Sequence, residues 1–221
     1  MKPIDSTPTR SARKGTRTRR TSDDEQQAFK KAIEAVAFQL FVNEGFEAVS
    51  IRKIAAAVGC SPMTVYSYHV SKQRLLRTLW QHVFLELDEQ CGRAAKKKTT
   101  ASAKLEAHIR AWLEFWLARP DSFRLVFWNT DTPDASSEPY FADSSDVHAM
   151  RSGAVELIAQ VRKNSLAKVA SSRILDVILA QLVGYLHLSL AAPELGWAHD
   201  DALKEAVIHS IQVLVAAKSP P

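Results

Sequence analysis

The residues best equipped for chemistry in this 221-residue chain lie between Ser50 and Lys72. That stretch has no acid and holds Ser50, Arg52, Ser61, Met63, Thr64, Tyr66, Ser67, Tyr68, His69 and Lys72. Hydroxyls, an imidazole, a guanidinium and an ammonium gathered this way are hydrogen-bond donors without a catalytic partner. They suit a polyanion: donors on phosphate oxygens give affinity, and side chains on base edges give sequence preference. Thr64 can meet a thymine methyl or a base edge. Bond-making chemistry has no comparable footing. The sequence contains no GxSxG, HExxH, P-loop or glycine-rich dinucleotide turn, and its seven glycines leave little phosphate-cradling backbone. Cys60 and Cys91 are far apart, and His69, His82, His108, His148, His187, His199 and His209 form no i, i+3 or i, i+4 pair. No metal, no cofactor and no enzymatic activity are expected.

Short helices must position these groups. Ser22 and Glu25 have the spacing of a capping box, after which Phe29, Ile33, Val36 and Leu40 recur on one helical face. Gly45 is a fitting left-handed terminator. Ser50 caps a second helix with Ile51, Ile54, Ala55 and Val58 inward and Gly59 at its end. Ser61 caps a third, with Pro62 at the first position, where a missing amide hydrogen costs nothing. It ends near His69, and Ser71 opens a long fourth helix. The second and third meet at Gly59–Cys60–Ser61, the spacing of a helix-turn-helix, whose later helix enters the major groove. Other helical hairpins share this outline, so a helical interaction protein that no longer reads DNA stays open on spacing alone.

The run from Gly45 through Phe46, Ser50, Ile54 and Ala55, then Val58-Gly59-Cys60-Ser61-Pro62-Met63-Thr64-Val65-Tyr66, then Ser71-Lys72 and Leu75-Leu76, resembles the tetracycline-repressor (TetR) family. The match spans residues 25–76. The resemblance implies a homodimeric one-component transcriptional regulator, usually a repressor, acting on a palindromic double-stranded operator. It places Ser50 and Lys72 on phosphates, Thr64 on the reading helix, and Tyr66 against the DNA backbone. His69 stands where many members have a core phenylalanine. Arg52, Ser61, Met63, Ser67, Tyr68 and His69 complete the candidate DNA-facing set.

Charge is distributed unevenly along the chain. The first twenty residues hold Lys2, Arg10, Arg13, Lys14, Arg17, Arg19 and Arg20 against the single acid Asp5, whereas the remainder is nearly neutral. With Pro3, Pro8, Gly15 and little to bury, residues 1–21 read as a disordered basic arm, with Arg17, Arg19 and Arg20 available to DNA. A solubilising leader is the plainer reading of the same composition. Residues 22–71 then form the helix-turn-helix domain, and residues 72–221 a larger helical domain. An apolar share of 46% is ordinary for a globular protein and excludes wholesale disorder. Two cysteines and no evident signal peptide favour a reducing cytoplasm. The longest uncharged stretch, 177–193, contains Gln181, His187 and a terminal proline, so it reads as a buried helix and no membrane partner is expected.

The remaining sequence is helical too, for an all-α total of about nine helices. Helical patterns cover about 102–119, 122–128, 147–161, 172–192 and 200–217, interrupted by an acidic, turn-rich stretch at 129–146. Aromatic residues recur at helical spacing, and ordinary core packing explains them. The resemblance adds a cavity for a small, apolar effector, with Trp80, Phe84, Trp112, Phe115, Trp116, Phe127, Gln181 and Tyr185 as candidate contacts and His108 and His187 as further polar anchors. Segments 174–190 and 203–215 are apolar on more than one face, which suits a dimer seam through the last two helices.

Overall fold

The computed structural model describes residues 15–129, 145–163, 168–191, 194 and 200–217. Among them the chain forms nine helices and no strand: α1 (Gly15–Glu44), α2 (Ile51–Val58), α3 (Pro62–Tyr68), α4 (Lys72–Lys96), α5 (Ala101–Leu117), α6 (Pro120–Phe127), α7 (Ser145–Arg162), α8 (Lys168–Ala191) and α9 (Asp201–Ala216). The all-α expectation holds. The acidic stretch from 130 to 144, and residues 1–14 of the basic arm, lie outside the described residues. Two units divide the chain, Met1–Leu75 and Leu76–Pro221, with the boundary inside the first turn of α4 and not before it.

In the first unit, Ile33, Ala37 and Phe41 of α1 bury against Val49, Ile51, Ile54, Ala55 and Val65. Fully burying a side chain of this size stabilises by about 1.5–3 kcal/mol, which holds the short α2 and α3 against the long α1. Glycine is required at two positions. Gly45 and Gly59 take φ of 83° and 81°, and each closes the helix before it. At Gly59 the amide bonds the carbonyls of Ala55 and Ala56, and the Cys60 amide follows onto Ala55 at 2.9 Å. One expectation shifts: α1 begins at Gly15, so Ser22 and Glu25 fall inside the helix and Arg17, Arg19 and Arg20 are part of its backbone. Arginine is a good helix former and no proline interrupts the segment, so helix extends beyond the apolar pattern.

The second unit centres on Trp116, which is fully buried and ringed edge-on by Phe84, Trp112, Phe115, Phe123 and Phe127 at centroid distances of 5.1–6.2 Å. Thr100 caps α5, its hydroxyl accepting from the Ala103 amide, and Pro120 opens α6 instead of merely ending the helix before it. Asp200 caps α9 as its position suggests. Leu175, Ile178, Leu182, Tyr185 and Leu186 of α8 enter the same core as Ile208, Ile211 and Val215 of α9. The segment Ala170–Leu190 is long and apolar enough to cross a membrane by composition, and one of its faces is buried in this core.

Candidate nucleic-acid interface and cavity

Three helix starts in the first unit share one design. Ser50, Ser61 and Ser71 accept from the amides of Lys53, Thr64 and Arg74 at 3.2, 3.1 and 3.0 Å. None of the helices they open, α2, α3 and α4, has an acid in its first turn. The positive end of each helix is therefore uncompensated by an acid in its own first turn, a condition that favours phosphate. Ser50, Arg52, Ser61, Tyr66 and Ser67 are exposed, and Met63 is 75% exposed. Met63, Tyr66 and Ser67 stand at i, i+3 and i+4, so they form the outward stripe of α3. Val70, just past the helix, extends it at 76% exposed. Sequence reasoning missed Val70 because an apolar residue between two polar ones reads as core.

Not every candidate faces outward. Thr64 is half-buried and its hydroxyl lies 2.9 Å from that of Ser61, while the Ser67 hydroxyl donates to the Thr64 carbonyl at 2.7 Å. Tyr68 is half-buried with its ring 5.8 Å from Phe29. Lys72 donates to the Phe46 carbonyl at 2.9 Å and lies over the Phe46 ring, fixing the turn before α2 while leaving ammonium donors for another acceptor. His69 corrects its assignment to the DNA-facing set. It is 3% exposed, its Nε2 is 3.4 Å from Oε1 of Glu34 on α1, and its amide donates to Val65. His69 is the residue just past α3, where an extended backbone (φ −138°, ψ 110°) ends the helix and the imidazole lies beside Glu34 of α1. Of Arg17, Arg19 and Arg20 the described structure includes only the helical backbone.

A cavity region of two adjoining pockets, which share lining residues, lies in the second unit. Its inner part, about 60 Å³, is walled by Leu105, His108, Ile109 and Trp112 of α5, by Met150, Arg151, Ala154 and Ile158 of α7, and by Leu175, Ile178, Leu179 and Leu182 of α8. The outer part, about 440 Å³, is lined by Gln81, Phe84, Leu85 and Asp88 of α4 with His108 and the Ala149–Ala154 side of α7. His108, Met150 and Ala154 line both. Burial pushes the His108 imidazole pKa below its ordinary value while the nearby Asp88 carboxylate opposes that shift, so the ring is neutral at pH 7. Burial, with Asp88 adding to it, raises the Cys91 thiol to about 12, so this cysteine is an inert core residue.

Of the expected effector contacts, Phe84, Trp112 and the polar anchor His108 line this cavity. Trp80 donates its indole N–H to the Leu125 carbonyl at 2.8 Å, and Phe115 and Trp116 are fully buried in the aromatic cluster. Phe127 packs on Trp116 and Phe123. Gln181 accepts from Ser210 across α8 and α9, and Tyr185 is buried with its phenol held above the ordinary range by desolvation. The largest aromatics fill volume and therefore serve the core. Smaller side chains leave space, and Ala154 is such a gap.

The family model for bacterial regulatory proteins of the tetR family matches residues 33–79. No curated protein matches the chain by sequence. Solved structures resemble its fold. A TetR family transcription regulator from Marinobacter aquaeolei VT8 is 20% identical, with 89% of this chain and 100% of that one covered and a TM-score of 0.66. A tetR-family regulatory protein from Rhodococcus RHA1 is 16% identical over 86% and 98%, at 0.63. The fatty acid degradation regulator FadR from Bacillus halodurans is 15% identical over 87% and 97%, at 0.62. Residues 33–79 enclose the whole of α2 and α3, with the capped turns and the exposed stripe described above, so the chain carries a helix-turn-helix domain of the tetR family.

Proposed function

We propose that the chain is a cytoplasmic repressor that binds a palindromic operator as a homodimer and is released by a small effector with an apolar body. The observation that carries this reading is the exposed stripe Met63–Tyr66–Ser67 on α3, beside three serine-capped helix starts without acids. An outward face of this kind has no use inside the unit, and it offers apolar and hydroxyl contacts to base edges with amide donors for phosphates. Arg52 is exposed on α2 and adds a cation without a described acid partner.

Dimerisation through the last two helices is supported by what stays uncovered there. Val177, Leu188 and Val213 are exposed although apolar. Gly184 lies on the same side of α8 as Val177 and Leu188, and a Cβ built on it would meet nothing within 4 Å. An interior helical glycine costs about 1 kcal/mol relative to alanine, and close approach of a second copy would explain it. An effector releases DNA only by binding the DNA-incompetent state more tightly, and the cavity of the second unit is where the reading seats it.

Selection of genomic fragments by the purified full chain, followed by band shifts with the enriched sequence, tests the function. The expected result is one palindromic motif that survives moderate salt. Binding that is uniform across sequences would overturn it.

A further inference from the structure

Charge in the outer part of the cavity has one sign. Asp88 is its sole formally charged lining residue and has no ion-pair partner among the described residues. The other charged residue of the cavity, Arg151 in the inner part, is already committed: its guanidinium donates to Asp176 at 2.6 Å. His108, at the junction, is kept neutral by burial, so it offers one donor and one acceptor and no positive charge. In the outer part no lining cation compensates a ligand carboxylate or phosphate, and Asp88 would repel it. The inner part is nearly all apolar, with Leu105, Ile109, Trp112 and Ile158 on its walls.

Resting on the effector reading above, we propose that the occupant is an amphipathic cation, with an ammonium-type head beside Asp88 and an apolar body directed past His108 into the inner part. The head gains a charge-assisted hydrogen bond, stronger than a neutral one. The body is drawn from water by apolar walls. Ala154 lines both parts, so a large side chain there would intrude on each of them.

Calorimetric titration of the full chain with octylammonium, octanol and octanoate tests this, since the three probes share a tail and differ in head charge. Octylammonium should bind roughly tenfold tighter than octanol, the scale of one charge-assisted contact, and octanoate should be weakest. Asp88→Asn, at an exposed position that leaves the fold intact, should bring octylammonium to the affinity of octanol and leave octanol unchanged. Ala154→Trp should abolish binding of all three. If octanoate binds tightest, or the order survives Asp88→Asn, the cation proposal falls while the cavity stands. If no probe binds, or Ala154→Trp changes nothing, the cavity reading falls and takes the proposal with it.

Discussion

Nε2 of His69 lies 3.4 Å from Oε1 of Glu34, with both side chains below one-tenth exposed, so a polar pair ties the end of the reading helix to α1. Lys30 stands 3.8 Å from the same carboxylate oxygen. The contact is electrostatic, and it is made at the cost of desolvating two polar groups.

The pair predicts a specific outcome. His69→Ala should destabilise the first unit by about 1–3 kcal/mol, because it empties a buried site and removes the imidazole that faces the Glu34 carboxylate. Operator affinity should fall with it, while the slope of log affinity against log salt stays the same, since no phosphate contact is lost. A slope reduced by about one would restore His69 to the interface. His69→Phe combined with Glu34→Leu, which removes both polar groups, should recover most of the stability. Thermal melting and salt-dependent anisotropy titrations measure the two effects.

What the sequence made legible was local. Ser50, Ser61, Gly45 and Gly59 mark helix ends through chemistry that involves three or four neighbouring residues, and each stands in the structure where its type demands. The start of α1 was not legible, because residues 15–21 are helical without an apolar face to announce it. His69 was ambiguous for a related reason: a polar ring on a seven-residue helix has no periodicity long enough to fix its side, and Glu34 is thirty-five positions away. The cavity was least legible. It forms where α5, α7 and α8 fail to fill space between them, and of the aromatic residues that suggested a pocket only Phe84 and Trp112 line it, the others filling the core.

The polar bridge from α5 to α9 should make the second unit acid-sensitive. Arg110 holds Glu205 in a two-pronged ion pair and also bonds Glu106, which accepts from Gln212 at 3.0 Å. The Arg110 hydrogen bond lowers the Glu205 carboxyl below its ordinary value of 4.5. A carboxylate whose folded pKa is depressed contributes stability above the unfolded value and loses it as pH falls through the folded one. Glu205→Gln should therefore melt below the wild type at pH 7, and the two curves should converge below about pH 4. Melting temperatures that differ equally at both pH values would place the effect of Glu205 outside its ionisation.

A charge on the uncovered face of the last helices should separate protomers without unfolding them. Leu182, in the middle of the apolar run, is buried in its own unit and is the wrong place to ask. Val177, Leu188 and Val213 are exposed, so Val213→Glu or Leu188→Glu should melt within about 0.5 kcal/mol of wild type as ordinary surface changes do. Sedimentation should show monomers. Operator binding should collapse with dimerisation, because two half-sites about one helical turn apart are engaged together only by a dimer. Dimers that persist in both variants would move the seam to another face.

The reading helix separates preference from positioning by which side chains reach out. Met63 is three-quarters exposed on the stripe shared with Tyr66, whereas Thr64 is half-buried and its hydroxyl lies within hydrogen-bond distance of Ser61. A thioether on the outward face suits a thymine methyl, and a well-made base contact discriminates by about 1–3 kcal/mol. Met63→Ala should therefore relax preference at one operator position and leave the others intact. Thr64→Ala should mainly loosen the Ser61 cap, lowering affinity for every sequence by a similar factor. Lys72→Ala should also weaken all sequences alike and reduce the salt slope if its remaining donors reach a phosphate. Binding to a library of single-base operator variants distinguishes the three. A position-specific change in Thr64→Ala, with none in Met63→Ala, would hand the readout to the threonine and require α3 to sit in the groove in a rotated setting.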